Sequence, residues 1–328
     1  MTQLIHIQDP TQLERFCQSE PRLSLQQVQQ QKADGHWLLL NAADEVVARC
    51  SLWWQNTPPY ESHRLGLIGH FAARDLAAAN ELLRAACAEL KARNCTMAIG
   101  PMDGNTWQRY RLLTERGDAP TFFLEPDNPD EWVQYFAHNG FAIAAEYFST
   151  LTTDLRVRNP RMNAVAENMA AQGVTIRAAQ PERWTAELAS IYAVASVAFQ
   201  PNFLYTPIAE AEFIAQYKSL QSYIRPELVL LAEHEQRPVG FLFALPDLAQ
   251  AQRGQAVDTF IVKTVAVLPE GKYRGLGSLL VARSHAIGAA LGFQRAIHAL
   301  MHEANKSRSI SQHYSQPLRL YALFGKEL

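Results

Sequence analysis

At 328 residues the chain is about twice the length of a typical domain, which predicts two hydrophobic cores. With 48% of its residues hydrophobic and 19% charged, it can bury enough apolar surface to offset its chain entropy, so disorder as the main state is excluded. Thirty Lys and Arg against 32 Asp and Glu leave a formal net charge of -2, without the basic excess by which non-specific nucleic-acid binders displace counterions. The N-terminus has no basic segment followed by an apolar one, and no window of about 18 apolar residues occurs. A cytoplasmic protein with no nucleic-acid or membrane partner is therefore expected. Cys17, Cys50, Cys87 and Cys95 show no C-x-x-C spacing and are expected as reduced, buried thiols.

In chain order, residues 4–7 read as a strand, followed by Asp9-Pro10 and a helix through Leu13 and Phe16. Residues 36–40 and 46–54 read as a hairpin around Ala43-Asp44-Glu45, and a third strand at 63–71 runs into an Ala-rich helix from about 76 to 92. A strand at 97–99 comes next, then a helix through Trp132 and Phe136 that Asn139-Gly140 stops. A polar segment with Asn159-Pro160 and a short helix through Met162, Val165 and Met169 separates this half from the next.

The same order then recurs. A strand at 174–177 leads to a helix through Leu188 and Ile191. A hairpin pairs 229–232 with 238–243, a strand at 259–267 runs into a helix from about 276 to 291, and a strand at 296–300 is followed by a short helix. This predicts an α/β fold of two similar tandem domains, 1–153 and 173–328, joined by a linker at 154–172. Each would be a mixed, mostly antiparallel sheet with helices on both faces.

The stretch that carries chemistry is Thr264-Val265-Ala266-Val267-Leu268-Pro269-Glu270-Gly271-Lys272-Tyr273-Arg274-Gly275-Leu276-Gly277-Ser278. A β-rich run stops at a proline, a turn follows, and two glycines spaced by one residue open a helix. Such a turn is an anion cradle, because glycine lets a ligand approach the backbone and the first N–H groups of the helix point at it. Neither the G-x-G-x-x-G of dinucleotide binders nor the G-x-x-x-x-G-K-[ST] of P-loops is present.

This segment resembles the pyrophosphate-binding motif of the GNAT superfamily of acyl-CoA-dependent N-acyltransferases, [QR]-x-x-G-x-[GA] after a V-x-P strand end. Lys272 stands where that family favours Gln or Arg. The resemblance runs from about Val174 to the C-terminus and implies acyl-CoA, most simply acetyl-CoA, as co-substrate. It implies that Val265, Ala266 and Val267 offer backbone groups to the pantetheine arm. Lys272, Tyr273, Arg274, Gly275, Leu276, Gly277 and Ser278 would form the pyrophosphate cradle, and Asn305, at the start of the next helix, would touch the cofactor arm. Counted from Ser307, Tyr314 falls about seven residues into that helix, where the family carries the donor that protonates the departing thiolate. Asp258 and Glu303 are candidate relays for the amine proton. His298 and His302 have a metal-like i, i+4 spacing but lie on a β-rich run whose faces do not converge at that spacing, so no metal is expected.

The resemblance also implies that the aromatic loop Gln200-Pro201-Asn202-Phe203-Leu204-Tyr205-Thr206 walls the acceptor pocket, with Asn202, Phe203 and Tyr205 as substrate contacts. The turn Gly104-Asn105-Thr106-Trp107 is placed to face the same cleft. The first half enters its helix through Ala72-Ala73-Arg74-Asp75-Leu76 with no G-x-G, like a GNAT unit that has lost its cradle. It is expected to dock on the second half and share the pocket wall. The function implied is N-acyl transfer to a primary amine of a small molecule or peptide by direct attack. The alternatives are a CoA-binding regulatory or scaffold protein, and an aminoacyl transferase using charged tRNA, which fits the tandem order but not the charge balance.

Overall fold

A computed structural model describes residues 2–157, 159–218, 220–303 and 315–328. In the first half, β1 (Gln3–His6), β2 (Gly35–Leu40), β3 (Val46–Trp53) and β4 (Leu65–Ala73) pair antiparallel in that order, and β5 (Met97–Gly100) lies parallel to β4. β6 (Leu112–Glu115) and β7 (Ala142–Thr152) follow. The second half repeats the pattern with β8 (Val174–Ala178), β9 (Val229–His234), β10 (Arg237–Pro246) and β11 (Thr259–Val267) antiparallel, and β12 (Arg295–His302) parallel to β11. β13 (Gln316–Glu327) ends the chain. The helices are α1 (Pro10–Gln18), α2 (Leu25–Gln30), α3 (Leu76–Ala92), α4 (Glu131–His138), α5 (Arg161–Ala171), α6 (Trp184–Ala198), α7 (Glu210–Lys218), α8 (Leu248–Gln252) and α9 (Leu276–Ala290).

Each half keeps the mixed, mostly antiparallel pairing expected of it, but the two sheets run together into a single 13-stranded one. The join is an exchange of last strands. β7, from the first half, pairs with β12 of the second; β13, from the second, pairs with β5 and β6 of the first; and β7 and β13 pair with each other in the middle. The centre of the sheet therefore holds two strands crossing in opposite senses between the halves. β13 had no place in the sequence reading because its run Tyr321–Phe324 is apolar throughout, as a strand covered on both faces is, and shows no alternation. The helix α7 and the strand β6 also lie outside the expected elements, while β7 begins directly after Phe141, where a strand start follows the helix end at Asn139-Gly140.

Local chemistry explains the elements that flank the site. α3 buries Ala78, Ala79, Leu82, Leu83, Ala86, Cys87 and Leu90, a stripe at helical spacing laid on the first half of the sheet. α9 has apolar residues on several faces, with Arg283 left exposed, because it is covered twice, by β10 and β11 on one side and by α5 on another. The linker helix α5 thus packs onto the second half: Val165 lies against Gly275, where an added Cβ would come within 3.1 Å of its Cγ1. All four cysteines are buried and free, as expected.

Candidate functional site

β11 follows β10 as far as the pair Gly240 and Val267, yet its parallel ladder with β12 stops at Val262 and His298. The two strands diverge from there, and local backbone irregularities on both accompany the divergence. On β11, Phe243 faces Thr264 and Ala244 faces Val262, so Lys263 is an extra, bulged residue. On β12, Ala299 and Leu300 fall between the pairs His298–Thr150 and Met301–Phe148, and Leu300 has φ 59°. A left-handed leucine costs on the order of 1–3 kcal/mol and persists only where its surroundings enforce it. Beyond Val262, the Leu268 N–H bonds the Val239 carbonyl. By the alternation of an extended strand, Ala266 then faces β10, and the backbone groups of Val265 and Val267 face the opening between the strands.

The opening leads to the turn that starts α9. Gly271–Tyr273 is a short 3-10 turn, Gly275 adopts φ 93°, and no side chain caps the helix. Of the predicted cradle residues, Tyr273 and Leu276 are buried in the core, with the Tyr273 hydroxyl 2.9 Å from His234 Nδ1, so their side chains are already engaged and only their backbone is available to a ligand. Lys272 and Arg274 are exposed, and Lys272 lies 3.4 Å from Glu270. Asn305 and Tyr314 lie outside the described residues.

A cavity of about 780 Å³ lies between the halves, lined by Val262, Lys263, Thr264 and Val265 of β11, by residues 298–302 of β12 and by Val281 of α9. Asn202, Phe203 and Tyr205 line it as the sequence suggested, and its far wall is the first half: Thr106 to Arg111, Leu124 to Asp127, and Tyr147. Trp107 ties the two walls together. Its indole Nε1 donates to the Thr206 carbonyl at 2.8 Å, and its ring sits among Phe199, Tyr205 and Phe213 with centroids 5.6 to 6.1 Å away. The first half thus supplies part of the pocket wall.

Three cationic side chains of this cavity were not singled out in the sequence: Arg109, which donates to the Asp127 carbonyl, Arg111 and Lys263. Arg111 is only 7% exposed, its guanidinium carbon lies 3.8 Å from the Tyr110 ring and 4.0 Å from the Tyr147 ring, and its Nε and Nη1 have no hydrogen-bond partner among the described residues. Lys263, on the bulge, is pushed down to about 8 by burial and by the Arg111 charge. The signal for Lys263 was present, as the single charge in the apolar run 259–267; Arg111 lies in an irregular stretch with no periodicity to mark it. Both cavity carboxylates are engaged elsewhere, Glu125 with Arg319 at 2.7 Å and Asp127 with Arg116 at 2.7 Å.

The remaining candidates serve structure or stay neutral. Burial raises the Asp258 carboxyl, but hydrogen bonds from Gln250, Arg295 and Thr259 outweigh this and hold it below its ordinary value; it anchors the start of β11 through Arg295 at 2.7 Å. The Glu303 N–H donates to the Glu146 carbonyl at 3.1 Å, and the neighbouring Glu303 side chain raises the Glu146 carboxyl above its ordinary value. Burial, with His285 3.1 Å away, pushes His298 down to about 3, and burial and Arg111 lower His302, so both imidazoles are neutral near pH 7.

No protein-family model matches the chain. It is 28% identical over 199 residues to the bacterial ceramide synthase of Caulobacter vibrioides, a stretch covering 60% of this chain and 52% of that protein. The chain spans about half the length of the curated relatives it matches. Among solved structures it is similar to a GCN5-related N-acetyltransferase from Sphaerobacter thermophilus, with TM-score 0.51 and 14% identity over 99% of this chain and 95% of the other. It is also similar to a tandem GNAT protein from the clavulanic acid biosynthesis pathway, with TM-score 0.50 and 9% identity over 100% and 98%. At such identities the likeness is one of fold.

Proposed function

From the tandem GNAT fold of this chain, we propose that it transfers an acyl group from acyl-CoA to the primary amine of a small molecule or peptide by direct attack. The observation that carries the reading is the divergence of β11 from β12, which runs from the uncapped, glycine-led start of α9 to a cavity large enough for an acceptor. Acyl-CoA would supply the thioester. Residues 271–278 would hold its pyrophosphate with first-turn N–H groups, and the free backbone edge at Val265 and Val267 would pair with the pantetheine arm as an added strand does. Asn202, Phe203 and Tyr205 would then bound the acceptor, Asn305 would contact the cofactor arm, and Tyr314 would hand a proton to the departing thiolate. Residues 1–153 serve in this reading as the cradle-less unit and 173–328 as the cofactor-bearing one.

Acetyl-CoA is the simplest donor. The Caulobacter relative is named for making ceramide, an N-acyl product, which agrees with amine acylation and adds fatty acyl-CoA to the donors to be tried. The test is thiol release from acetyl- and long-chain acyl-CoA across an amine library. Cofactor binding without thiol release from any amine would move the protein to the regulatory or scaffold alternative. Tyr314→Phe is expected to lower turnover about 100-fold, the low end of general-acid contributions, with acyl-CoA affinity unchanged. Wild-type turnover in that variant would give the donor role to another group.

A further inference from the structure

An arginine buried as Arg111 is normally has a carboxylate or carbonyl on its guanidinium, because desolvated charge is costly unless paired. Here two of its nitrogens have no partner among the described residues, and the faces of Tyr110 and Tyr147 offset part of the burial. Lys263 comes from the opposite half of the molecule, lines the same cavity and makes no hydrogen bond or ion pair with a described residue. The residues outside the description, 1, 158, 219 and 304–314, include no Asp or Glu, and no carboxylate among the described residues pairs with either cation. The two carboxylates that line the cavity are held by Arg319 and Arg116. His298 and His302 carry no charge there to take the place of one.

We infer that the amine acceptor also carries an anionic oxygen group, a carboxylate or a phosphate, and that Arg111 from the first half and Lys263 from the second hold it between them. The inference rests on the N-acyl-transfer reading of this cavity. It gives the bulge a purpose, since the extra residue in β11 places a lysine in the cavity wall. It also gives the first half a role in acceptor choice. A carboxylate suits the planar fork of Arg111, and a phosphate suits either cation.

Matched amines test this: L-amino acids against their amides, phosphoethanolamine against ethanolamine, and sphinganine as a neutral long-chain amine. Each is titrated calorimetrically into the full chain, with and without CoA, for wild type, Lys263→Met, Arg111→Met and Arg111→Lys. In the expected result the anionic member of one pair binds at least tenfold tighter than its neutral counterpart, and that pair identifies carboxylate or phosphate. The preference falls to parity in Lys263→Met and Arg111→Met and is partly kept in Arg111→Lys. Lys263→Met removes an unpaired, half-buried charge and is expected to melt no lower than wild type, so it carries the test if the Arg111 variants fail to fold. Equal binding of the paired amines, no binding of any anionic amine, sphinganine binding tighter than all of them, or a preference that survives Lys263→Met would overturn the inference. So would a tenfold loss of CoA affinity in Lys263→Met with the amine preference intact, which would assign the cations to the cofactor. An anionic preference without thiol release would leave the binding site standing and sink the transfer reading.

Discussion

The helix after the fourth strand of each half begins in opposite ways. In the first half α3 starts at Asp75, an extended residue at φ -151° whose carboxylate accepts the Ala78 N–H at 2.9 Å. In the second, α9 starts at Gly275, left-handed at φ 93°, with no side chain on its first-turn amides. Both helices follow a strand and cross over to a parallel one, so the frame is the same. The difference lies in who supplies the negative charge that a helix N-terminus favours. In α3 the chain supplies it from Asp75, shortly after Ala72 and Ala73 end β4 in their ladder with β3. In α9 no described side chain supplies it, and under the proposed function an acyl-CoA pyrophosphate would. The two halves thus share an order of elements and differ at this turn, and the first half lines part of the cavity between them.

The sharpest way to break this comparison is to separate the halves. A chain starting at Gln172 lacks β7, leaving β12 and β13 without their shared partner and exposing two long strand edges. It is expected to be insoluble or to show no cooperative melting transition by circular dichroism; a monomeric fragment with full amine turnover would show the halves to be independent. Next in size is Gly275→Asp, which copies the first-half arrangement into the second. The new Cβ meets Val165, the φ is one an L residue resists, and the charge repels an anion, so acyl-CoA affinity should drop about 100-fold by calorimetry. Gly275→Ala, without the charge, should lie between the two; unchanged affinity in both would remove the cradle from this turn.

Trp107→Ala tests the contact between the halves. Loss of a half-buried indole set among three aromatic rings should cost about 3 kcal/mol in urea unfolding, the low end for such truncations, and loosen the acceptor loop. A change under about 1 kcal/mol would make the contact incidental. The smallest effect is expected from Asp75→Ala, about 1 kcal/mol for a lost cap, with no second acyl-CoA site appearing in calorimetry. The Ala78 N–H is the main cause holding the Asp75 carboxyl below its ordinary value. Its stabilising effect is therefore present above that ordinary value and is lost as pH falls through the depressed one, and the variant and wild type should converge in acid. A new binding site in this variant would mean that the first half had kept its cradle and merely plugged it.

Much of the frame was legible because it is written in local periods. The stripe of α3, the β11 run and the glycine turn before α9 all lie within a residue or two of where the sequence put them, and the aromatic loop at Asn202, Phe203 and Tyr205 does line the cavity. Lys263 was visible as a lone charge in an apolar strand, but its meaning depended on a bulge, which leaves no mark in a period-2 pattern. Arg111 could not be read at all. Its neighbours in the site, Tyr147 and Lys263, are 36 and 152 positions away in the chain. The readings on Asn305 and Tyr314 rest on resemblance and stand as proposals.

By itself the sequence determined the recurring order of strands and helices and the position of the glycine turn that opens α9. Each of these follows from residues within a few positions of one another: side-chain periodicity, proline and glycine backbone preferences, and the free amides of a helix start. The exchange of β7 and β13, the shared cavity and the meeting of Arg111 with Lys263 were decided only in the tertiary structure. Backbone hydrogen bonds are the same at every strand edge, so an apolar strand carries no record of which edge it will join; the choice falls to long-range burial, and with it the question of which half completes the other's site.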